Sequence, residues 1–379
     1  MSASDPKQTF ETHSVATEPC DAAQRVIFGR LNPQGKLILS SERFLLCRPQ
    51  GGLNDVLCNV ERARRYADKF NRTLIVDTNF INAKTIKDDF SNYFYTADDV
   101  ILNLRTIKDR LCDLTVFPTC VAGKLDSYQA YYDNILGNYA ERTTGEKISF
   151  EFGLDYGQQL LVQHASGGGV IGVDALSWLR LNEVISAELI RRLKAINAPY
   201  IAVHIRHTDF RTDYVYHLNL LKSQLATLDC TNLFVATDNI ECVQHCKTLF
   251  PSLNIFSFSA LPKIATPLHH GRALDPSRRF EVNADSILDL LMLALSRHFV
   301  IMPLKPGSPK TFSGFSRLAH NLRTKQEVLH RLAPDVLAKV NFVDRVLPIR
   351  SVVRGIISRN TPCPCSSGKR YKHCCGSLT

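Results

Sequence analysis

Two segments concentrate residue types that can do chemistry. His204, Arg206, His207, Thr208 and Asp209 crowd together where the apolar run Tyr200–Ile205 gives way to polar sequence. An arginine at the end of a buried strand can fork two donors onto a phosphate. The alternative is a plain loop in which Arg206 pairs with Asp209. The second segment is the tail, where Cys363, Cys365, Cys374 and Cys375 lie among few other apolar residues. Four thiolates close a tetrahedral zinc site with no open position, which makes it structural. His373 stands beside the Cys374–Cys375 pair as a substitute for one of them. Lys369, Arg370 and Lys372 offset the negative charge of four thiolates around one zinc ion. So short a segment has no apolar core of its own, and metal binding supplies its folding energy. A third, plainer feature is Gly51-Gly52, which permits a tight turn and close ligand approach. It sets Asn54 or Asp55 either at a cleft or at the cap of the following helix.

These residues need elements to position them. Arg43–Arg48 is a short apolar run, Pro49–Asn54 a turn, and Val56, Val60, Ala63, Ala67 and Phe70 recur at helical spacing before the strand Thr73–Asp77. Strand, glycine turn, helix and strand open a parallel α/β sheet. The pattern returns in the second half. Strands are expected at Tyr200–Ile205, Asn232–Ala236, Asn254–Phe258 and Phe299–Met302, with helices at His217–Leu228, Ile240–Leu249, Ala284–Arg297 and Gly314–Arg323. Arg25–Leu39 reads as a strand with a turn at Asn32–Gly35, while Ala122–Ser149 shows no assignable pattern. Two open, Rossmann-like α/β units facing a cleft are the simplest architecture, with ligands at the carboxyl ends of the strands.

The 379 residues, 45% hydrophobic and 22% charged, are ordinary for a globular protein and exclude a disordered or low-complexity chain. The length exceeds the roughly 250–300 residues at which one core stops growing. The expected divisions are an N-terminal tail and lead-in at 1–40, one Rossmann-like domain at 41–195, a second at 196–345, and a basic linker with the zinc module at 346–379. From Val346 onward six Lys and Arg residues meet no acid, and this tail carries +6 of the net +10, leaving +4 for the body. That distribution argues against a dedicated nucleic-acid domain. No apolar run approaches the ~20 residues of a spanning helix. The first 30 residues lack a basic start followed by an apolar core, so no export signal and no transmembrane segment are expected. A cytoplasmic location follows, and the twelve cysteines are expected to stay reduced. Cys47, Cys58, Cys230 and Cys246 sit among apolar residues as core fillers, and Trp178 is read as core.

Between residues 200 and 320 the chain resembles the GT-B fucosyltransferase superfamily, in particular its α1,6 and nodulation members. The hallmark His-x-Arg-Arg-Thr-Asp appears as His204-Ile-Arg206-His207-Thr208-Asp209, and Ala-Thr-Asp-Asp as Ala236-Thr237-Asp238-Asn239. A third block, with Leu268-His269 ahead of it, reads Ile287-Leu288-Asp289, then Phe299–Met302, then Thr311-Phe312-Ser313 with Arg317-Leu318-Ala319. The blocks stand in family order, which is more specific than any one of them. Gly51–Asp55 fits the amino-terminal half of that family. The tail resembles the SEC-C motif, a module that also ends the preprotein-translocase ATPase, and whose usual ligands favour Cys374 and Cys375 over His373.

The resemblance implies a GDP-fucose donor in the carboxyl-terminal unit and a glycan hydroxyl as acceptor. Arg206 then holds the β-phosphate, His204 and His207 frame the diphosphate, Asp238 meets the base or ribose, and Asp289, Thr311, Phe312 and Ser313 contact the donor. Glycosyl–phosphate cleavage leaves an oxocarbenium-like sugar and a dianion, which a fixed guanidinium stabilises. No Asp-x-Asp motif stands in the donor region, and no catalytic metal is expected. The family's Thr-Glu, with a His four residues after the Glu, corresponds to Thr212-Asp213 and His217 if one residue is deleted. Asp213 becomes the candidate base, its pKa raised by desolvation in a closing cleft, or else a helix N-cap. His207 replaces the second arginine, and an imidazole neutralises phosphate less reliably. The expected activity is inverting fucosyl transfer. The alternative is a degenerate nucleotide-sugar-binding protein whose zinc tail recruits a macromolecular protein partner.

Overall fold

The computed structural model describes residues 30–31, 37–38, 42–81, 83, 86–225, 228, 230–261, 276–340, 357–363 and 367–374. The chain divides into two compact units, Met1–Ser41 and Glu42–Thr379. In the first, Arg30–Leu31 pairs antiparallel with Leu37–Ile38. The turn expected at Asn32–Gly35 lies outside the described residues.

The second unit contains two parallel sheets. In the first, β1 (Phe44–Pro49), β2 (Thr73–Val76), β3 (Val100–Ile101), β4 (Val116–Phe117) and β5 (Leu160–Ala165) stand in the order β3-β2-β1-β5-β4. All four pairings are parallel, with Phe44 opposite Thr73 on one side and Leu160 on the other. In the second, β6 (Ile201–Ile205), β7 (Asn232–Thr237), β8 (Asn254–Phe256) and β9 (His298–Ile301) stand in the order β8-β7-β6-β9, again all parallel. Crossover helices supply the connections that parallel pairing requires. They are α1 (Leu53–Lys69) in the first sheet and α3 (Tyr214–Gln224), α4 (Ile240–Leu249) and α5 (Arg279–Ala294) in the second; α2 (Glu183–Ile196) links the two sheets and α6 (Gly314–Thr324) follows the last strand.

The chemistry of the side chains accounts for these layers. Along β1, Leu45 and Cys47 enter the core that α1 covers, while Phe44 and Leu46 face a separate cluster. That two-residue alternation is the pleat of a strand buried on both faces. The unassigned stretch at 122–149 builds part of the second cover. Ala130–Asp133 pairs antiparallel with Asn138–Glu141, and Tyr128, Ala130 and Ile148 are buried in that cluster. α5 begins at Arg279, five residues before the expected Ala284, because its first turns are polar and escape an apolar-run reading. α3 begins at Tyr214, not His217. In the tail, Ile357, Cys363 and Tyr371 are buried in the main core. Among the described residues, no helix is long and apolar enough to cross a membrane.

Both sheets change strand direction of addition at their first strand. β1 has β2 on one side and β5 on the other, and β6 has β7 on one side and β9 on the other. These switch points leave a crevice beyond the carboxyl ends, where open α/β sheets bind ligands. The segments leaving β1 and β6 there contain Gly51–Asp55 and Arg206–Asp209.

Candidate functional site

A cavity of about 320 Å³ is lined by both segments, with Gly51, Gly52, Asn54 and Asp55 from the first sheet and His204, Arg206 and Asp238 from the second. Asp289, Phe312 and Ser313 complete the expected set within it. Arg206 follows the last residue of β6, so the strand aims it outward. Its Nη2 lies 2.5 Å from Asp209 Oδ1 and its Nη1 3.1 Å from Asp238 Oδ2. The loop pairing expected as the plain reading is therefore present, within a larger network. Asp238 is buried and also accepts from the His207 backbone N–H at 2.7 Å and the Thr208 hydroxyl at 2.6 Å. Two carboxylates thus hold the guanidinium while leaving it one-fifth exposed. A group fixed this way needs little reorganisation when an anion arrives.

His204 is buried, and its Nδ1 lies 2.6 Å from the Ser316 hydroxyl. Burial, then Arg206, holds its pKa down to about 3, so the ring is neutral and frames the site without adding charge. Ser313 caps α6: its hydroxyl oxygen accepts from the Ser316 N–H at 3.0 Å. Asp289 sits on α5, and burial raises its pKa to about 7 against the opposing pull of Arg192. The Ser259 hydroxyl donates to its Oδ2 at 2.8 Å, and Arg192 Nη1 lies 3.5 Å from its Oδ1.

Three expected residues stand elsewhere. His207 does not line the cavity; its ring packs edge-on to Tyr214 at 4.9 Å, and burial, then Arg211, lowers its pKa. Thr311 is exposed, and its carbonyl accepts from Leu304 N–H at 2.8 Å. Asp213 is exposed at the start of α3 and is not among the cavity residues, so the structure does not put it in a shared cleft with Arg206. Its side chain makes no capping hydrogen bond either.

Sequence reasoning passed over Lys310 and Phe210, which also line the cavity. A single lysine or phenylalanine in a loop carries no spacing signal. It also left the Gly167–Gly169 cluster without a role. That loop leaves β5 and folds against α1: Asn54 Nδ2 donates to Gly169 O at 3.3 Å, and Arg62 Nη2 to Gly168 O at 3.1 Å. The two sheets meet at the same place, because a Cβ on Gly314 of α6 would lie 3.3 Å from Asn54 Nδ2.

In the tail, Pro362 bridges Arg370, Cys363 N–H donates to Lys369 O at 2.9 Å, and Ser367 Oγ lies 3.2 Å from Cys374 Sγ. Cys365 and Cys375 lie outside the described residues. Among the described residues no three His, Cys, Asp or Glu side chains gather as a metal-binding group. Cys47 and Cys246 are buried, and burial raises the pKa of each to about 12.

Residues 359–377 match the SEC-C motif. The chain is 61% identical over 31 residues to the protein translocase subunit SecA of Dichelobacter nodosus, covering 8% of this chain and 3% of that protein. It is 54% identical over 35 residues to the UPF0225 protein plu2503 of Photorhabdus laumondii, covering 9% and 21%. The chain thus spans a small part of these curated relatives. Among solved structures it is similar to fucosyltransferase NodZ from Bradyrhizobium, with 19% identity, a TM-score of 0.50, and coverage of 75% of this chain and 95% of that one. A NodZ α1,6-fucosyltransferase co-crystallised with GDP matches at the same identity and TM-score, covering 75% and 94%. The fold is a mixed α/β fold with parallel sheets, similar to that of GT-B fucosyltransferases.

Proposed function

We propose that this chain is an inverting glycosyltransferase that moves fucose from GDP-fucose to a glycan hydroxyl. The observation that carries the reading is Arg206, held by Asp209 and Asp238 at the switch point of the second sheet and open to the cavity. The fold it shares with a fucosyltransferase co-crystallised with GDP supports the nucleotide assignment. In this reading β6–β9 form the donor unit and β1–β5 the acceptor unit of a two-domain enzyme.

The acceptor oxygen attacks the anomeric carbon as the bond from that carbon to the β-phosphate oxygen breaks, and the electron pair leaves with GDP. Arg206 stabilises the growing charge by aimed guanidinium N–H groups. His204 stays neutral and keeps the pocket wall in place through Ser316. Lys310, on the same wall as Ser313, adds the second positive charge that His207, turned toward Tyr214, does not.

The tail is proposed to hold one structural zinc ion through Cys363, Cys365, Cys374 and Cys375. The donor chemistry fits, since four thiolates suit zinc, and the Pro362–Arg370 bridge fixes the backbone next to Cys363. Zinc supplies cross-linking only. Its basic residues are the surface we assign to a protein partner. We assign the protein to the cytoplasm, where cysteines such as Cys47 and Cys246 stay as free thiols.

The test is calorimetric binding of GDP by the purified full-length protein, followed by labelled GDP-fucose with a panel of glycan acceptors. Tight GDP binding with transfer supports the enzyme. GDP binding with neither transfer nor donor hydrolysis replaces it by the binding-protein reading, which the exposed position of Asp213 favours. No GDP binding overturns both.

A further inference from the structure

Resting on that donor assignment, we propose that Asp55 is the catalytic base that removes the acceptor hydroxyl proton. An inverting displacement needs its base on the side of the sugar opposite the leaving phosphate. Arg206 fixes the phosphate on the second-sheet wall, so the base belongs on the wall that the first sheet supplies. Asp55 lines the cavity from that wall, in the first turn of α1.

The other carboxylates of the cavity stand on the second-sheet wall. Asp209 and Asp238 hold Arg206, and Asp289 lies between Arg192 and Ser259. Asp55 accepts one hydrogen bond, from Gly52 N–H at 3.3 Å, and forms no ion pair within the described residues. Its carboxylate keeps most of its acceptor capacity for a substrate O–H.

The carboxylate also sits in a cradle that only glycine leaves open. A Cβ on Gly51, whose φ is +107°, would stand 2.6 Å from Oδ2, and one on Gly168 would stand 2.2 Å from Oδ1. Backbone on two sides therefore fixes the rotamer of a carboxylate that lines the crevice. The charged groups facing Asp55 are Lys310 and Arg317 from the second-sheet side and Arg62 from α1. They pull its pKa down, while burial pushes it up by more, and the net direction is upward. Burial thus makes this carboxylate more basic than an exposed one.

The step balances. The acceptor O–H proton passes to Asp55 Oδ as the oxygen bonds to the anomeric carbon. The bond from that carbon to the phosphate oxygen breaks, and GDP leaves with the electron pair. The protonated Asp55 then returns its proton to water.

The experiment compares wild type and Asp55→Asn. GDP affinity is measured by calorimetry, and labelled GDP-fucose is offered with water and, separately, with azide as acceptor. Azide attacks without deprotonation. The expected result for Asp55→Asn is GDP affinity within twofold of wild type, hydrolysis slower by about 10²–10⁴-fold, and azide transfer within threefold. The acid limb of the wild-type hydrolysis profile should also disappear. Hydrolysis within threefold of wild type in the variant would overturn the proposal. So would equal loss of hydrolysis and azide transfer, which would mark a structural role. If the wild type itself binds no GDP, the donor assignment fails and takes this proposal with it. Binding and turnover in the wild type with an unimpaired variant sink Asp55 alone.

Discussion

The two walls of the cavity are built in opposite ways. On the second-sheet wall, one hexapeptide leaving β6 carries Arg206 and Asp209, and the next strand end carries Asp238, so the charged network closes over short chain distances. The first-sheet wall has one charged side chain, Asp55, and its surroundings come from Gly51, Gly168, Lys310 and Arg317, which are far apart in the chain. The comparison teaches that the Arg206 side is a local sequence device and the Asp55 side an assembled one. Substitutions on the former should strike nucleotide binding. Those on the latter should strike turnover.

Replacing Arg206 by Ala gives the sharpest break. It should weaken GDP binding and lower turnover by about 10²–10³-fold, or ~3–4 kcal/mol of transition-state stabilisation, if it acts like one oxyanion donor. Calorimetry and rate measurement check it; full activity in the variant would remove the donor wall from the comparison. Lys310→Ala should weaken GDP binding about tenfold, the scale of one charged hydrogen bond, and leave GMP binding nearly unchanged. Equal losses for both nucleotides would place Lys310 away from the terminal phosphate.

The tail tests whether a third region belongs with the walls. Tyr371 is buried in the main core and its N–H donates to Thr361 O at 2.8 Å. Tyr371→Ala should therefore lower the melting temperature by several degrees, on the order of 2–4 kcal/mol for a large buried side chain. Chelation should act in the same direction if zinc is bound. An unchanged transition would show the tail to be energetically separate from the body.

Asp289 predicts a pH effect. Its folded pKa is raised to about 7 by burial, against ~3.9 for an unperturbed Asp. Between those values the folded protein keeps a proton that the unfolded chain has released, so this group's contribution to stability falls as pH rises through the window. Asp289→Asn should flatten that slope in denaturant titrations at pH 5 and 8; a slope as steep as the wild type's would move the titration to another group. The smallest effect is expected from His207→Arg, which should change GDP affinity less than twofold, since the side chain points toward Tyr214 and not into the cavity.

Much of this was legible before the structure. The apolar runs at β1, β2, β6 and β7 and the helix Ile240–Leu249 follow from period and turn chemistry, because strand burial and helix amphipathicity are local patterns. Arg206 was legible for the same reason, as a charged residue at the end of a buried run. The placement of Asp213 was not. A residue one turn past a strand end can face cavity or solvent, and the hydrogen bond from Thr212 N–H to Arg206 O helps set that course without a sequence signal. The hairpin within 122–149 was illegible because its strands are four residues each and show no alternation of apolar and polar residues.

By itself the sequence determined β1 and β2 of the first sheet, the four strands of the second and the Arg206 end of the site, since each depends on residues near one another in the chain. Only the tertiary structure decided that Asp55 lies in a two-glycine cradle, that His207 turns away, and that Tyr371 joins the core. Each of these depends on which distant backbone arrives at van der Waals distance, and no local pattern of residue types encodes that approach.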